Sequence, residues 1–302
     1  MSSSNGSQHA VKTVGVIGLG HMGHAFASNL VADGYSVIAF DRDPRLAATV
    51  TGARAVEKIS DLTDCNAVMT SVPDDAALAT VTLDPGGLVS VLGKGAVHIS
   101  MSTVSPQLSH RLAEEHAKHG QGFVAAPVLG NPDFARERKL YVFASGEASA
   151  LEKVRPLLES LGQHLFVVGD DAASASLMKL GANALTATTL ECMGEVLALL
   201  RKGGIGPRLA FEVLTNSLFD SQVHKAYGDK IVESRYAPGM AVPLATKDMR
   251  LALAAAEHLA VPLPAVSLVH DRLVTMSARG WDNLDWSALG RLAAEEAGLG
   301  AP

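Results

Sequence analysis

The chain has 302 residues, 48% of them hydrophobic and 19% charged, with a net charge of −6. That length holds two domains or one large one. The negative balance argues against non-specific nucleic-acid binding, and no apolar run reaches the roughly 18 residues of a membrane-spanning helix, so neither a nucleic acid nor a membrane is expected as a partner.

Residues 1–10, MSSSNGSQHA, lack the basic and apolar regions of a signal peptide and read as a disordered tail, so the expected location is cytoplasmic. Short apolar, β-branched runs then alternate with helix-length segments. The runs are Thr13–Ile17, Ser36–Phe40, Ala67–Ser71, Ala96–Ile99, Gly122–Ala125, Leu140–Ala144 and His164–Val168. Between them lie 22–32, 44–51, 74–83 and 105–119 with helical period. Such alternation predicts an α/β fold with a mainly parallel sheet, the later runs being candidates for antiparallel strands. The two cysteines, Cys65 and Cys192, read as reduced, packed thiols.

After Gly169 the character changes. One helix of about 30 residues is expected, started by Asp170 or Asp171 and stopped by Gly203–Gly204, with Arg201 and Lys202 in its last turn. The remainder reads as helical, punctuated by Pro207, Pro238, Pro243, Pro262 and Pro264. The expected organisation is a Rossmann-type nucleotide-binding domain over 11–169 and an all-helical substrate and oligomerisation domain over 170–302. The low surface charge and apolar helical half predict a homodimer or homotetramer built on the second domain.

Gly18-x-Gly20-x-x-Gly23 directly follows a strand and opens a helix. Gly18 permits the tight turn, Gly20 lets backbone approach a pyrophosphate, and Gly23 allows close helix–strand packing. The cradle is expected from Gly18, Leu19, Gly20, His21, Met22 and Gly23, His21 having no chemical role. About 20 residues on, the second strand ends in Asp41, placed to accept from a ribose 2′-OH, and Arg42, placed to clamp a 2′-phosphate. The pair favours NADP(H) by a small margin, with NAD(H) also accommodated. Val72–Pro73 follow the third long strand and offer a rigid apolar wall for a nicotinamide.

Lys179 and Asn183 stand one helical turn apart in the long apolar helix, so they share a face. A lysine there can give a proton to a carbonyl oxygen, with the asparagine holding that oxygen or a neighbouring group. Spacing alone leaves equally open a lysine whose head reaches solvent beside a neutral neighbour.

The order of "GVIGLGHMGHAFASNL", "SMSTVSP" at 100–106, "AAPVLG" at 125–130, "MKLGAN" at 178–183 and "ATKDMRLALAAAEHLAVPLP" at 245–264 resembles the β-hydroxyacid dehydrogenases. These include 3-hydroxyisobutyrate dehydrogenase and the tartronate, glyoxylate and succinic semialdehyde reductases, with 6-phosphogluconate dehydrogenase and imine reductases more distant. The resemblance spans nearly the whole chain. It implies an NAD(P)-dependent oxidoreductase acting on CH–OH, with Lys179 as general acid/base and Asn183 orienting the substrate. It further implies Ser102 on the substrate, Thr103 at the cofactor, and Lys247, of the Lys247–Asp248 pair, reaching the cofactor.

Two departures stand out. Ser100 replaces the family's aspartate. Leu129, Gly130 and Asn131 replace Ser-Gly-Gly at the substrate carboxylate; leucine offers no side-chain donor, and Asn131 is the candidate replacement. The "GNPDFA" run also resembles an imine reductase loop, although those relatives generally replace the lysine. The reading is therefore a β-hydroxyacid dehydrogenase; the alternative is a reductase of uncharged ketones, aldehydes or imines, and a third is a nucleotide-binding scaffold without chemistry. Phe219, His224 and Tyr227 are further pocket candidates with ordinary packing or surface readings, Asp285 is a candidate N-cap, and His116 and His119 read as a solvated helix face with no metal.

Overall fold

The computed structural model describes residues 11–300; the tail expected at 1–10 lies outside them. By contacts the chain divides into two compact units between Lys179 and Leu180. The first unit holds a nine-stranded sheet. Its strands are β1 (Thr13–Ile17), β2 (Ser36–Phe40), β3 (Arg54–Val56), β4 (Ala67–Thr70), β5 (Val97–Ser100), β6 (Gly122–Ala125), β7 (Val128–Leu129), β8 (Leu140–Gly146) and β9 (Gly162–Gly169). The helices between them are α1 (His21–Ala32), α2 (Pro44–Ala47), α3 (Asp75–Leu83), α4 (Leu88–Val91), α5 (Pro106–Lys118), α6 (Pro132–Arg136) and α7 (Ala148–Ser160).

Strands β3-β2-β1-β4-β5-β6 are mutually parallel. β8 reverses the direction, pairing antiparallel with β6 and, in the same register, with β7, then parallel with β9. This is a mixed sheet of Rossmann type. Side chains alternate across it, as a pleated strand requires: Val14, Val16, Ala67, Met69, Val97 and Ile99 enter one core, whereas Ile17, Ile38 and Val68 enter the core on the opposite face. β3 and β7, three and two residues long, are too short to carry a periodic signal, and sequence reading passes over them. The helix expected to run to Thr51 stops at Ala47; the Thr49 hydroxyl bonds the Leu46 carbonyl and the chain turns through Gly52 at φ 85°.

The long helix is α8, Ala173–Lys202, 30 residues. Asp171 Oδ1 accepts from the Ala173 N–H at 2.9 Å at its start, and Gly204 at φ 88° turns the chain past its end. There follow α9 (Pro207–Thr215), α10 (Gln222–Val232), α11 (Val242–His258), α12 (Pro264–Ala278) and α13 (Leu289–Glu296), three of these five opening with a proline at the first or second position. Among the described residues of this half the only β-pairing is an isolated bridge, Ala241 with Asp285. Its core is one helical stripe per element: Leu180, Ala184, Ala187 and Leu190 of α8, Ala245, Met249 and Ala252 of α11, Val266, Val269 and Leu273 of α12, and Leu289 and Leu292 of α13. No helix among the described residues is long and apolar enough to cross a membrane.

Both cysteines are free thiols, but only Cys65 is packed; burial pushes its pKa up to about 11. Cys192 is exposed, because it falls on the outward face of α8. His116 is likewise not on a solvated face: it is 0% exposed. A helix places residues three apart on nearby but distinct faces, and His116 takes the inner one while His119 stays outside.

His116 belongs to a buried chain of hydrogen bonds. Gln121 Nε2 donates to the Val89 and Leu92 carbonyls, so Gln121 Oε1 accepts, at 2.7 Å, from His116 Nδ1. His116 Nε2 then accepts from His98 Nδ1 at 2.9 Å, and His98 Nε2 accepts from the Thr70 hydroxyl at 2.9 Å. Each ring is neutral in this order, and neither has a free site for another proton. Burial lowers both pKa values, His98 well below its ordinary value and His116 to about 4. With folded values depressed, the stability from this pair is fully present above the unfolded value of about 6.5 and lost as pH falls toward 4. Urea unfolding between pH 8 and pH 4.5 should show this loss, reaching about 1.4 kcal/mol per pH unit for each histidine. His116→Gln, which still bridges its neighbours, should flatten the slope by about one proton; an unchanged slope would remove the pair as its cause.

Candidate active site

The glycine turn is built by close backbone approach. Gly18 sits at φ 84° and donates to the Phe40 carbonyl at 3.0 Å, while Ser71 N–H donates to the Ile17 carbonyl at 2.8 Å. A Cβ on Gly18 would lie 2.3 Å from the Ser71 carbonyl oxygen, and one on Gly23 would lie 1.8 Å from the Gly18 oxygen. These two glycines are therefore required by the protein itself. Gly20 is not: a Cβ there would meet nothing within 4 Å. Gly20 is the N-cap of α1, with no side-chain cap and no acid in the first turn, so the first N–H groups of α1 have no side-chain acceptor from the cap. A side-chain-free helix start of positive potential fits the pyrophosphate of a dinucleotide. Leu19 is buried beneath this turn, Met22 is half-buried, and His21 is exposed.

Asp41 follows β2 and turns back to the turn: its Oδ2 accepts from Leu19 N–H at 2.6 Å and its Oδ1 from Asp43 N–H at 2.9 Å. Arg42 beside it is exposed. Asp43 caps α2 and holds Arg45 at 2.8 Å.

The loops after β4 and β5 are tied together. Ser102 is 5% exposed, and its Oγ accepts from Val72 N–H at 2.9 Å, so its own hydroxyl hydrogen points elsewhere as a donor. Asp75 binds Ser105 twice, through its N–H at 3.0 Å and its hydroxyl at 2.5 Å. Val72, Pro73, Ser102 and Thr103 thus lie on two joined loops at the carboxyl edge of the parallel strands, where ligands of open α/β sheets bind. Ser71 and the Asp75–Ser105 pair escape sequence reading, since their partners are about 30 residues away or held through backbone atoms. Ser100 is buried, and its hydroxyl has no hydrogen-bond partner.

Leu129, Gly130 and Asn131 form the corner between β7 and α6. Leu129 pairs with Tyr141 and is half-buried. Gly130 lies at φ 135°, where a Cβ would come 2.5 Å from Leu140 Cδ2. Asn131 caps α6, its Oδ1 accepting from Phe134 N–H at 2.9 Å. The first turn of α6 carries its own acid, Asp133, paired with Arg136.

On α8, Lys179 is buried, 8% exposed, rather than held out in solvent, and Asn183 is 4% exposed. Asn183 Nδ2 donates to Asp248 Oδ2 of α11 at 2.6 Å. Lys247 Nζ forms an ion pair with Asp248 Oδ1 at 3.1 Å. In the same half, Phe219 is 48% exposed against His224, which bonds Ser221, and Tyr227 packs edge-on to Trp286. Asp285 caps the turn at Trp286–Ala288 through Ser287 N–H. No group of three His, Cys, Asp or Glu side chains converges among the described residues.

Residues 13–169 match the NAD-binding domain of 6-phosphogluconate dehydrogenase, and residues 173–293 match the NAD-binding region of NADP-dependent 3-hydroxyisobutyrate dehydrogenase. The chain belongs to the β-hydroxyacid dehydrogenase family. It is accordingly an NAD(P)-dependent oxidoreductase of that family. It is 33% identical over 282 residues to 2-(hydroxymethyl)glutarate dehydrogenase of Eubacterium barkeri, covering 91% of this chain and 93% of that one. Its fold is similar to a Mycobacterium tuberculosis 3-hydroxyisobutyrate dehydrogenase solved with L-serine, at a TM-score of 0.86 and 23% identity over 93% of this chain and 99% of the other. An imine reductase from a Pseudomonas species shares the fold less closely, at a TM-score of 0.59 and 22% identity, with 93% and 99% coverage.

The two kinds of glycine separate experimentally. Gly20→Val should leave the melting temperature nearly unchanged and weaken dinucleotide binding about tenfold or more, because its side chain would obstruct only the ligand. Gly18→Ala should destabilise the fold by at least about 1 kcal/mol through strain at positive φ. Calorimetry with NADPH titration checks both, and an unstable Gly20 variant with normal affinity would contradict the assignment.

Proposed function

We propose that the protein interconverts a small carbonyl compound and its alcohol, with Lys179 as the general acid/base and Asn183 and Ser102 holding the substrate. The observation that carries this reading is the buried Lys179 one helical turn before the buried Asn183, on the helix that follows a dinucleotide fold. A bound nicotinamide supplies or accepts the hydride at the substrate carbon. In the reductive direction Lys179 gives a proton to the carbonyl oxygen; in the oxidative direction it takes the hydroxyl proton. Ser102 donates its hydroxyl hydrogen to the substrate, its oxygen being held by Val72 N–H.

The Gly18–Gly23 turn, with Leu19, His21 and Met22, holds the pyrophosphate, and Val72, Pro73, Thr103 and Lys247 complete the cofactor site. NADP(H) is favoured over NAD(H). Both Asp41 oxygens already accept backbone N–H groups, and the exposed Arg42 is available to a 2′-phosphate.

The relative named for 2-(hydroxymethyl)glutarate supports a hydroxyacid or semialdehyde substrate. A second reading, a carbonyl or imine without a carboxylate, is favoured by the corner at Leu129–Asn131. There Leu129 is apolar, Gly130 bears no donor side chain, the Asn131 oxygen is engaged in capping, and Asp133 adds negative charge. For assembly we favour a homodimer or homotetramer through the helical half, where Leu185, Leu199 and Val213 stand 61–71% exposed.

Lys179→Ala should lower kcat by about a hundredfold or more while leaving the NADPH dissociation constant nearly unchanged, as loss of a general acid requires. Stopped-flow turnover beside a fluorescence titration measures both, and a near-normal rate would remove the role.

A further inference from the structure

Within the helical half, α8 carries a second apolar pattern beside its core stripe. Leu185 is 71% exposed and Leu199 70%, Val196 is exposed, and Cys192 is an exposed free thiol. With Thr189 they recur at alternating steps of four and three residues, the spacing of a helix–helix seam. The Thr189 hydroxyl donates to the Leu185 carbonyl at 2.8 Å, and Thr186 and Thr188 likewise bond carbonyls of their own helix. This stretch therefore presents methyl groups and no free donors. A groove bounded by α8, α12 and α13 opens beside Leu199, with the exposed Leu268 also lining it.

A copy of the same helix could cover this stripe in either of two directions, and charge separates them. Residues 180–190 of α8 include no charged side chain, whereas Glu195, Arg201 and Lys202 lie toward its C-terminal end. Parallel packing puts Glu195 against Glu195 and Lys202 against Lys202, and like charges so placed repel. Antiparallel packing lays the charged end over the uncharged one and sets the two helix dipoles against each other favourably. The spacing suits that direction, because Leu185 and Leu199 each stand seven residues from Cys192. An antiparallel pair centred on Cys192 covers both exposed leucines of each copy.

We propose that two copies of the chain pair through α8, antiparallel, about a twofold axis beside Cys192, with Leu185 of each copy against the partner's Leu199 at the edge of the groove. This inference rests on the assembly through the helical half favoured above, and it names the face, the direction and the centre. The occupant is a second copy because a twofold contact needs the same patch on both sides, and the stripe supplies it.

The test is thiol cross-linking of the full-length protein with a short bismaleimide, beside its mass by light scattering. The native chain should cross-link to a dimer, and Cys192→Ser should not, Cys65 being buried. Direction is read in the Cys192→Ser background. Chains carrying Leu185→Cys should cross-link when co-expressed with chains carrying Leu199→Cys. Neither should cross-link alone, because like positions then stand about 21 Å apart along the helices. Leu199→Glu, at a residue already exposed in the single chain, should raise the subunit dissociation constant about thirtyfold or more, as loss of a central contact does. A monomer by mass would overturn the assembly through the helical half and this pairing with it. A multimer whose Leu199→Cys chains cross-link to themselves has parallel helices, and one that cross-links at none of these positions uses another face. Either result overturns the pairing and leaves the assembly reading standing.

Discussion

Gly18 and Ser71 approach each other so closely that a single Cβ would close the gap to 2.3 Å. The rest of the nucleotide half depends on that contact. It brings the end of β1 against the loop after β4, and that loop carries Val72 into its bond with Ser102. Ser102 in turn fixes the loop after β5, and the Asp75–Ser105 pair fastens the same two loops a turn further on. A backbone constraint at one glycine thus propagates, through hydrogen bonds of 2.5 to 3.0 Å, to the hydroxyl proposed to meet the substrate. The conformation is enforced by sterics and hydrogen bonding together, so no single surface charge is needed to hold it.

The helical half solves a different problem. α8 is apolar around most of its circumference, yet its first turns present Lys179 and Asn183 on one buried face. Polar groups in such a setting require partners. Asn183 finds one in Asp248, whose Oδ2 accepts from its Nδ2 at 2.6 Å. The nucleotide half shows the same logic at His98 and His116, where each ring is forced into one tautomer by the neighbour beyond it. There a buried chain specifies direction, which a purely apolar core cannot provide.

Much of this was legible in the sequence, for identifiable reasons. The strands β1, β2, β4, β6 and the 30 residues of α8 announced themselves by period and by their Gly and Asp boundaries. The glycine turn was legible because the spacing itself encodes the geometry. What could not be read were relations fixed across the chain. His116 looked solvated because its helix is rich in charge; its burial comes from His98 on another strand and Gln121 past the helix end. Cys192 looked packed because it stands inside the long helix, yet it is exposed. Asn131 read as a candidate donor to a substrate, and the fold engages its oxygen in capping a five-residue helix. β3 and β7 are defined by their partners and not by any pattern of their own.

The family fixes the cofactor class and the hydride chemistry in outline, while the corner at Leu129–Asn131 bears on what that chemistry acts upon. The most direct measurement is isotopic. NADPH carrying deuterium at the transferable position would be supplied with succinic semialdehyde and, in parallel, with butanal, and the alcohol products examined by mass spectrometry. The account predicts one deuterium bound to the carbinol carbon, in the semialdehyde product if a carboxylate is read and in butanol if the Leu129 corner is apolar in use. Bound NADPH with no carbon-bound deuterium in either product would contradict it.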